Sequence, residues 1–488
     1  MSICCRYVLE SGIRERFLGF VQLTKLDALA LANKIQYFLN HIGLNIQLCV
    51  SQSYDGASVM SGKFSGVQAL VREITRNPCP YVHCHAHRLN LVLVDVSKRV
   101  QSVGDTIGLL EAIYAFQSAS TLRNELFSFE VKTKSGTKKL KVPQHSDTRY
   151  VSKYKGVNFF KTQFSSIVVA LQKCAQNKAK PREAAEAKGL LTQFRSFDVI
   201  YFLVCLDEIL CYLNILSKQL QSLNIDIGKS LRLIKATIES LCKMRTDDKF
   251  EELYKKAQDI FQVQGSVSDF SVENRPIRKQ TPSSSLSDFL VFETTGKGKS
   301  TCNDESVSKK TQFKAELFSI VDNISEEMEK RFSENSSLLA CISSCNPNSQ
   351  NFLDPKELCS FAKFWGKDEE FCIQLKAQCD LGKSMFSKCK STEDLYKELF
   401  SFGSFNELRY IVSVVLVMPV SSATAERSFS SMRRIKNCLR STMMGQRLHS
   451  LGVISIEREL SYNLLCHPEI VVDEFAAQKG RRLKFLLK

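Results

Sequence analysis

Ser2 to Val8 reads as a strand, and Arg16 to Leu23, with its FLGFV centre, reads as its neighbour. From Asp27 to about Ile42 the period changes to that of a helix. Leu29, Leu31, Ile35, Phe38 and Leu39 make its buried stripe, and Gly43 ends it. Ile46, Leu48 and Val50 then alternate as a further strand running toward Tyr54, Asp55 and Gly56. Gly56 and Gly62 punctuate the turn, and Val67, Leu70, Val71 and Ile74 recur at helical spacing until Pro78 and Pro80 stop the pattern. A second short strand or helix start follows at Tyr81. The predicted order is strand, strand, helix, strand, helix, strand.

Beyond Ser152 the pattern is helical to about Gln264. The segment starting at Tyr201 is apolar on nearly all sides, as a buried helix is, and Ile225 to Arg245 carries Ile227, Leu231, Ile234, Ile238 and Leu241 on one face. Gly265 to Gln312 is rich in Ser, Thr, Lys and Gly and reads as a flexible loop, with a basic patch at Arg275 to Lys279. Helices resume over Phe313–Phe332, with Leu317, Ile320, Val321 and Ile324 in register, while Cys341 to Pro355 reads as loop. Trp365, the only Trp, is expected at a helix junction. An apolar helix from Leu408 to Met418 is stopped by Pro419, and Ser421 or Ser422 can cap the next one. That helix has Ala425, Phe429, Met432 and Leu439 on one face and Arg427, Arg433, Arg434, Lys436 and Arg440 on the others.

Composition narrows the class. With 488 residues, 44% hydrophobic and 24% charged, the chain can bury a large core in two or more structural units and is not of disordered composition. Its formal charge of +16 favours polyanions, nucleic acid first, without implying sequence preference. The 18 cysteines are scattered through core segments and no signal peptide opens the chain, so reduced intracellular thiols are expected. The longest apolar run, Phe197 to Leu216, is interrupted by Asp198, Asp207 and Glu208, and no membrane segment is predicted.

Candidate chemistry lies in four places. Asp55 stands at a strand end, where a catalytic acid can be aimed at substrate but where an Asp-Gly also simply forms a turn. Cys79, His83, Cys84, His85 and His87 are zinc-type ligands, yet alternate residues of an extended strand face opposite ways and cannot all converge, so no metal is assigned. Five lysines between Val131 and Lys141 surround a Ser-Gly turn and read as exposed loop. The basic faces around Arg433 and Arg434 suit phosphates, and suit salt-bridged packing equally.

The runs Tyr54 to Gly62 (YDGASVMSG) and Tyr81 to Leu91 (YVHCHAHRLNL), and above all Met418 to Ser430 (MPVSSATAERSFS) followed by Arg433 to Lys436 and Leu439 to Met443, resemble hAT-superfamily transposases and their domesticated relatives. Among these are the transposase-derived halves of zinc-finger MYM-type and TTF-type zinc-finger proteins. The resemblance implies an α/β fold: an RNase H-like core, N-terminally truncated by its first strand and interrupted by a large all-α insertion. It divides the chain into core (1–150), insertion (151–400, with the flexible loop 265–312), a C-terminal dimerisation region completing the core (401–465) and a basic tail (466–488).

By the same resemblance, Asp55 and Glu426 correspond to the second and third catalytic acids, brought together across more than three hundred residues; the first is absent, and Glu10 is a poor substitute. Cys84 and His87 match the family's Cys-x-x-His element beside substrate DNA. Arg149 and Tyr150 match its Thr-Arg-Trp segment with Tyr for Trp, and Arg433 and Arg434 join the DNA-binding set. Phe429, Leu439, Leu448, Leu451 and Ile454 are the expected dimerisation residues. The implied function is a domesticated or decayed, catalytically inactive hAT transposase-like protein of the nucleus, otherwise the cytoplasm, that forms homo-oligomers, with DNA as a second partner and no cofactor. The alternatives are a non-catalytic nucleic-acid-binding regulator, or a fragment of an active transposase that takes Mg²⁺ if an upstream acid exists.

Overall fold

The computed structural model describes residues 1–75, 78–130, 150–222, 225–265, 302–332, 341–437, 440 and 442–477. The lysine-rich run at 131–141, the His145 to Arg149 segment, the patch at 275–279, Leu439 and the tail from 478 lie outside them. The described chain is mostly helical with few strands, and it separates into two compact units. One unit comprises Met1–Leu91, Ile215–Ala236 and Glu329–Lys488; the other comprises Val92–Asn214 and Thr237–Met328.

All four described strands belong to the first unit. β1 (Ser2–Leu9) and β2 (Gly12–Phe20) form an antiparallel hairpin with an irregularity between Ile3 and Cys4, and Glu10 occupies its turn. α1 (Ala28–His41) follows, its first turn capped by the Asp27 carboxylate, which accepts from the Ala30 amide at 2.9 Å. Leu31, Ala32 and Ile35 form its buried stripe; Leu29, expected there, is exposed, because the helix meets its neighbours about one position further round. Ile46–Leu48 is a single 3₁₀ turn, not a strand: Ile46 faces the core, Leu48 faces solvent, and the strand proper, β3 (Gln52–Tyr54), starts later. α2 (Ser58–Ser61) and α3 (Val67–Thr75) lead to β4 (Tyr81–His83), which pairs with β3 in parallel, Tyr54 opposite His83.

Among the described residues the strands thus make two separate two-stranded sheets, not one continuous sheet. Both border the same helical layer: Ile3 of β1 and Tyr54 of β3 pack on the cluster formed by Leu31, Ala32, Ile35, Ile46, Val67 and Val71. α4 (His85–Arg99) leaves directly from β4.

The C-terminal helices complete this unit. Trp365 caps the Pro355–Phe364 helix, as expected of a junction residue. The apolar Asn406–Val417 helix ends before Pro419 and is followed by the Ala423–Ile435 helix, whose buried face differs from the predicted one. Ala423, Ser428 and Ser431 are buried, while Phe429 is 39% exposed. Small side chains win because the helix lies close against β1, with Ser428 Oγ 2.7 Å from Ser2 Oγ. The next helix, Gly445–Ile456, packs on β2, where Gly452 leaves room for the Phe17 and Phe20 rings. Glu457 then fastens β2: it accepts from the buried Phe17 amide at 2.6 Å and pairs with Arg16 at 3.0 Å.

The second unit is helical throughout among the described residues. Its centre is the Phe197–Leu220 helix, with Tyr201 donating to the Phe313 carbonyl at 3.0 Å. This is the one described helix long and apolar enough to cross a membrane, and 72% of its apolar window is buried in the fold. The helix ending at Phe332 begins at Cys302, not Phe313. Its polar first turns lack an apolar stripe, and lysines such as Lys310 and Lys314 anchor it by ion pairs to Glu251 and Asp247.

Candidate functional site

The end of β4 and the start of α4 organise the site. Tyr54, Tyr81, His83 and His87 form a continuous ladder of near-parallel rings, at centroid separations of 5.9, 6.1 and 5.6 Å in that order. Tyr81 and His83 share one face of the strand by its two-residue period, and His87 lies one helical turn beyond. Gly56 lets this ladder close up, since a Cβ there would lie 2.5 Å from the His83 ring. Burial pushes the His83 imidazole down to about 4, helped by the charges of Arg88, His87 and Arg331 and opposed by Asp55. His83 Nε2 is buried without a hydrogen-bond partner. His85 points into the core instead, edge-on to Phe332 and 3.3 Å from Ser230 Oγ, and burial lowers it to about 3.

Asp55 follows β3 on the exposed side of this ladder. Its side chain accepts from the Ala57 amide at 3.4 Å, so it does form the Asp-Gly turn, while Tyr81 donates to its backbone carbonyl at 3.1 Å. Glu426 reaches the same neighbourhood from the far end of the chain. The Cys84 amide donates to the Tyr54 carbonyl at 3.1 Å and the His85 amide to the Val420 carbonyl at 2.9 Å, which docks the segment before the Ala423–Ile435 helix against the start of α4. There the Ser422 amide donates to Cys84 Sγ at 3.3 Å and the Ser422 hydroxyl to Glu426 at 3.1 Å. Burial, chiefly, raises the Cys84 thiol, and the Glu426 charge adds to it. The two acids are therefore brought to consecutive residues, Asp55 to His83 and Glu426 to Cys84.

Sequence reasoning did not assign Ser422 this linking role. It named Ser422 as a helix cap, yet the hydroxyl makes no capping bond and turns to Glu426 instead. Nor did it single out Tyr54 and Tyr81, although the alternation of Tyr81 with His83 is visible in the sequence.

Two-metal phosphoryl chemistry needs several carboxylates converging on cations roughly 4 Å apart. Here the Asp55 side chain accepts from the Ala57 amide and the Glu426 side chain from the Ser422 hydroxyl. Among the described residues no group of three His, Cys, Asp or Glu side chains is placed to hold a metal ion.

Two family models match the chain. One described as the ZMYM1/FAM200 RNase-like domain covers residues 1–66, and one described as the hAT family C-terminal dimerisation region covers residues 402–460. The N-terminal stretch is thus similar to an RNase-like domain and the C-terminal one to the hAT dimerisation region. A human protein, the 52 kDa repressor of the inhibitor of the protein kinase, is 23% identical over 506 residues, covering 97% of this chain and 61% of the relative. The chain thus spans about three-fifths of that protein's length.

The remaining expected site residues distribute as follows. His87 closes the ring ladder, Cys84 is buried at the Ser422 contact, and Arg433 and Arg434 are exposed, Arg434 donating to Ser431 Oγ at 2.9 Å. Tyr150 begins the Tyr150–Thr162 helix, while Arg149 lies outside the described residues. Of the expected dimerisation residues, Ile454 is 59% exposed, Phe429 is partly covered by the Phe20 ring and Leu451 is half-buried. Leu448 is a correction: it is buried within the protomer, on the helix that packs against β2, one turn before Gly452.

Proposed function

We propose that this transposase-derived chain works as a non-catalytic, self-associating protein of the nucleus, built on an RNase H-like core with a helical insertion. The match of residues 402–460 to the hAT dimerisation region carries the reading. The apolar surface that continues beyond it supports a second copy as the partner. Neither the Arg458–Cys466 helix nor the Pro468–Ala477 helix has a buried residue, and Leu460, Tyr462, Leu465, Ile470, Val471 and Phe475 are all exposed. Contiguous apolar surface of this kind marks an interaction site.

The RNase H-like reading is supported by the RNase-like match over residues 1–66 and by the two half-sheets resting on one helical layer. The non-catalytic part of the reading is supported by the similarity to a human protein described as a repressor. A DNA-nicking assay with Mg²⁺ or Mn²⁺ tests this non-catalytic reading, in which no cofactor is proposed. Light scattering of the chain at micromolar concentration tests self-association: a dimer or larger mass is expected, and a monomer mass overturns the reading.

A second reading, nucleic-acid binding, rests on the exposed Arg433, Arg434, Lys436 and Arg440 and on the +16 charge. Mobility-shift titration across salt distinguishes it by a steep loss of affinity as salt rises. A nuclear location is checked by imaging a fluorescent fusion.

A further inference from the structure

Cys49 and Cys79 face each other across the base of the β3–β4 pair, with their sulfurs 3.7 Å apart. Both are free thiols, Cys79 fully buried and Cys49 partly so. The contact is built by the backbone around it. Ser51 Oγ and the Gln52 amide both donate to the Pro80 carbonyl, at 3.0 and 3.2 Å, and Gln52 Nε2 donates to the Cys79 carbonyl at 3.1 Å. These bonds hold the Cys79–Pro80 segment against the start of β3. Cys79 itself adopts φ +32°, a left-handed conformation that a non-glycine residue keeps only when its surroundings impose it.

We propose that Cys49 and Cys79 are a thiol–disulfide switch that responds to hydrogen peroxide. The two thiols are chemically unequal, as the roles of attacking and resolving cysteine require. The hydrogen bond that Cys79 donates draws the Cys49 thiol down, whereas the same contact and burial push Cys79 up. Elsewhere burial, first of all, pushes thiols up, as at Cys345 and Cys379. In the first step the Cys49 thiolate attacks the peroxide O–O bond, forming an S–O bond and releasing hydroxide. In the second the Cys79 sulfur attacks the Cys49 sulfur, the S–S bond forms, the S–O bond breaks, and the leaving hydroxide departs as water with the Cys79 proton. The crosslink closes the loop that carries Asp55, α2 and α3, so oxidation staples β3 to β4 and removes loop freedom from the unfolded chain.

Peptide mapping of the full chain after one equivalent of peroxide and alkylation with iodoacetamide tests this. A Cys49–Cys79 linked peptide is expected, with a rise in Tm that dithiothreitol reverses. Cys79→Ser is expected to leave Cys49 as a sulfenic acid that dimedone traps, and Cys5→Ser to leave the crosslink intact. Full alkylation of both cysteines after peroxide, or linkage of Cys49 to Cys5, overturns the proposal. The map of the unsubstituted chain decides it even where a variant fails to fold.

Discussion

The Ser422 amide donates to Cys84 Sγ at 3.3 Å across 338 positions of sequence. This bond, with the one from the Ser422 hydroxyl to Glu426, ties the C-terminal helical region to the turn between β4 and α4. The dimerisation region is therefore not an appendage: its helices also cover β1 and β2 within the protomer.

The Glu457 carboxylate should be among the costlier side chains to remove. Glu457→Ala strands the buried Phe17 amide and is expected to lose about 1–3 kcal/mol, whereas Glu457→Gln keeps an acceptor and loses less. Urea denaturation of the two variants checks the order; equal losses would mean that the amide contact contributes nothing.

Gly56→Ala is expected to drive the His83 ring out of the ladder, at a cost of about 1–3 kcal/mol, the range for overpacking. The His83 ring proton shifts in NMR spectra are the readout, and an unmoved ring would disprove the close approach.

Stability should fall on acidification. Histidines ordinarily titrate near 6.5, but burial holds His83 at about 4 and His85 at about 3 in the folded state. Between about pH 6.5 and these values the unfolded chain binds more protons, so stability rises with pH there and is lost as pH drops from 6.5 toward 4. Urea midpoints at pH 7.5 and pH 5 measure this, and His85→Asn should reduce the difference. A midpoint independent of pH would contradict the burial of both rings.

Ile454→Asp combined with Leu465→Asp should abolish self-association while leaving the protomer folded, because neither side chain is buried in it. Light scattering and thermal unfolding of the double variant separate the two effects. Leu448→Asp, by contrast, is expected to unfold the protomer, since Leu448 belongs to its interior.

The hydrophobic pattern of the chain shows the strands β1 and β2, the helix from Asp27 and the position of Asp55 at a strand end. Each depends on residues near one another in sequence: strand-forming runs, helical spacing, a glycine turn. The same pattern misjudged Ile46–Leu48, where a 3₁₀ turn also buries one apolar residue and exposes the next, and it misjudged the Ala423–Ile435 helix. Periodicity reports which positions share a face, not how near the partner lies. Once β1 approaches closely enough for Ser2 to touch Ser428, the small serine face is the one that fits, and Phe429 turns outward.

By itself, then, the sequence determined the local elements, the net positive charge and the motifs at both ends. Tertiary structure alone decided that Asp55 and Glu426 are delivered to the adjacent residues His83 and Cys84, that Leu448 faces inward and that Cys49 meets Cys79. Those relationships join positions tens to hundreds of residues apart, and only the packing of helices on the two short sheets brings them together.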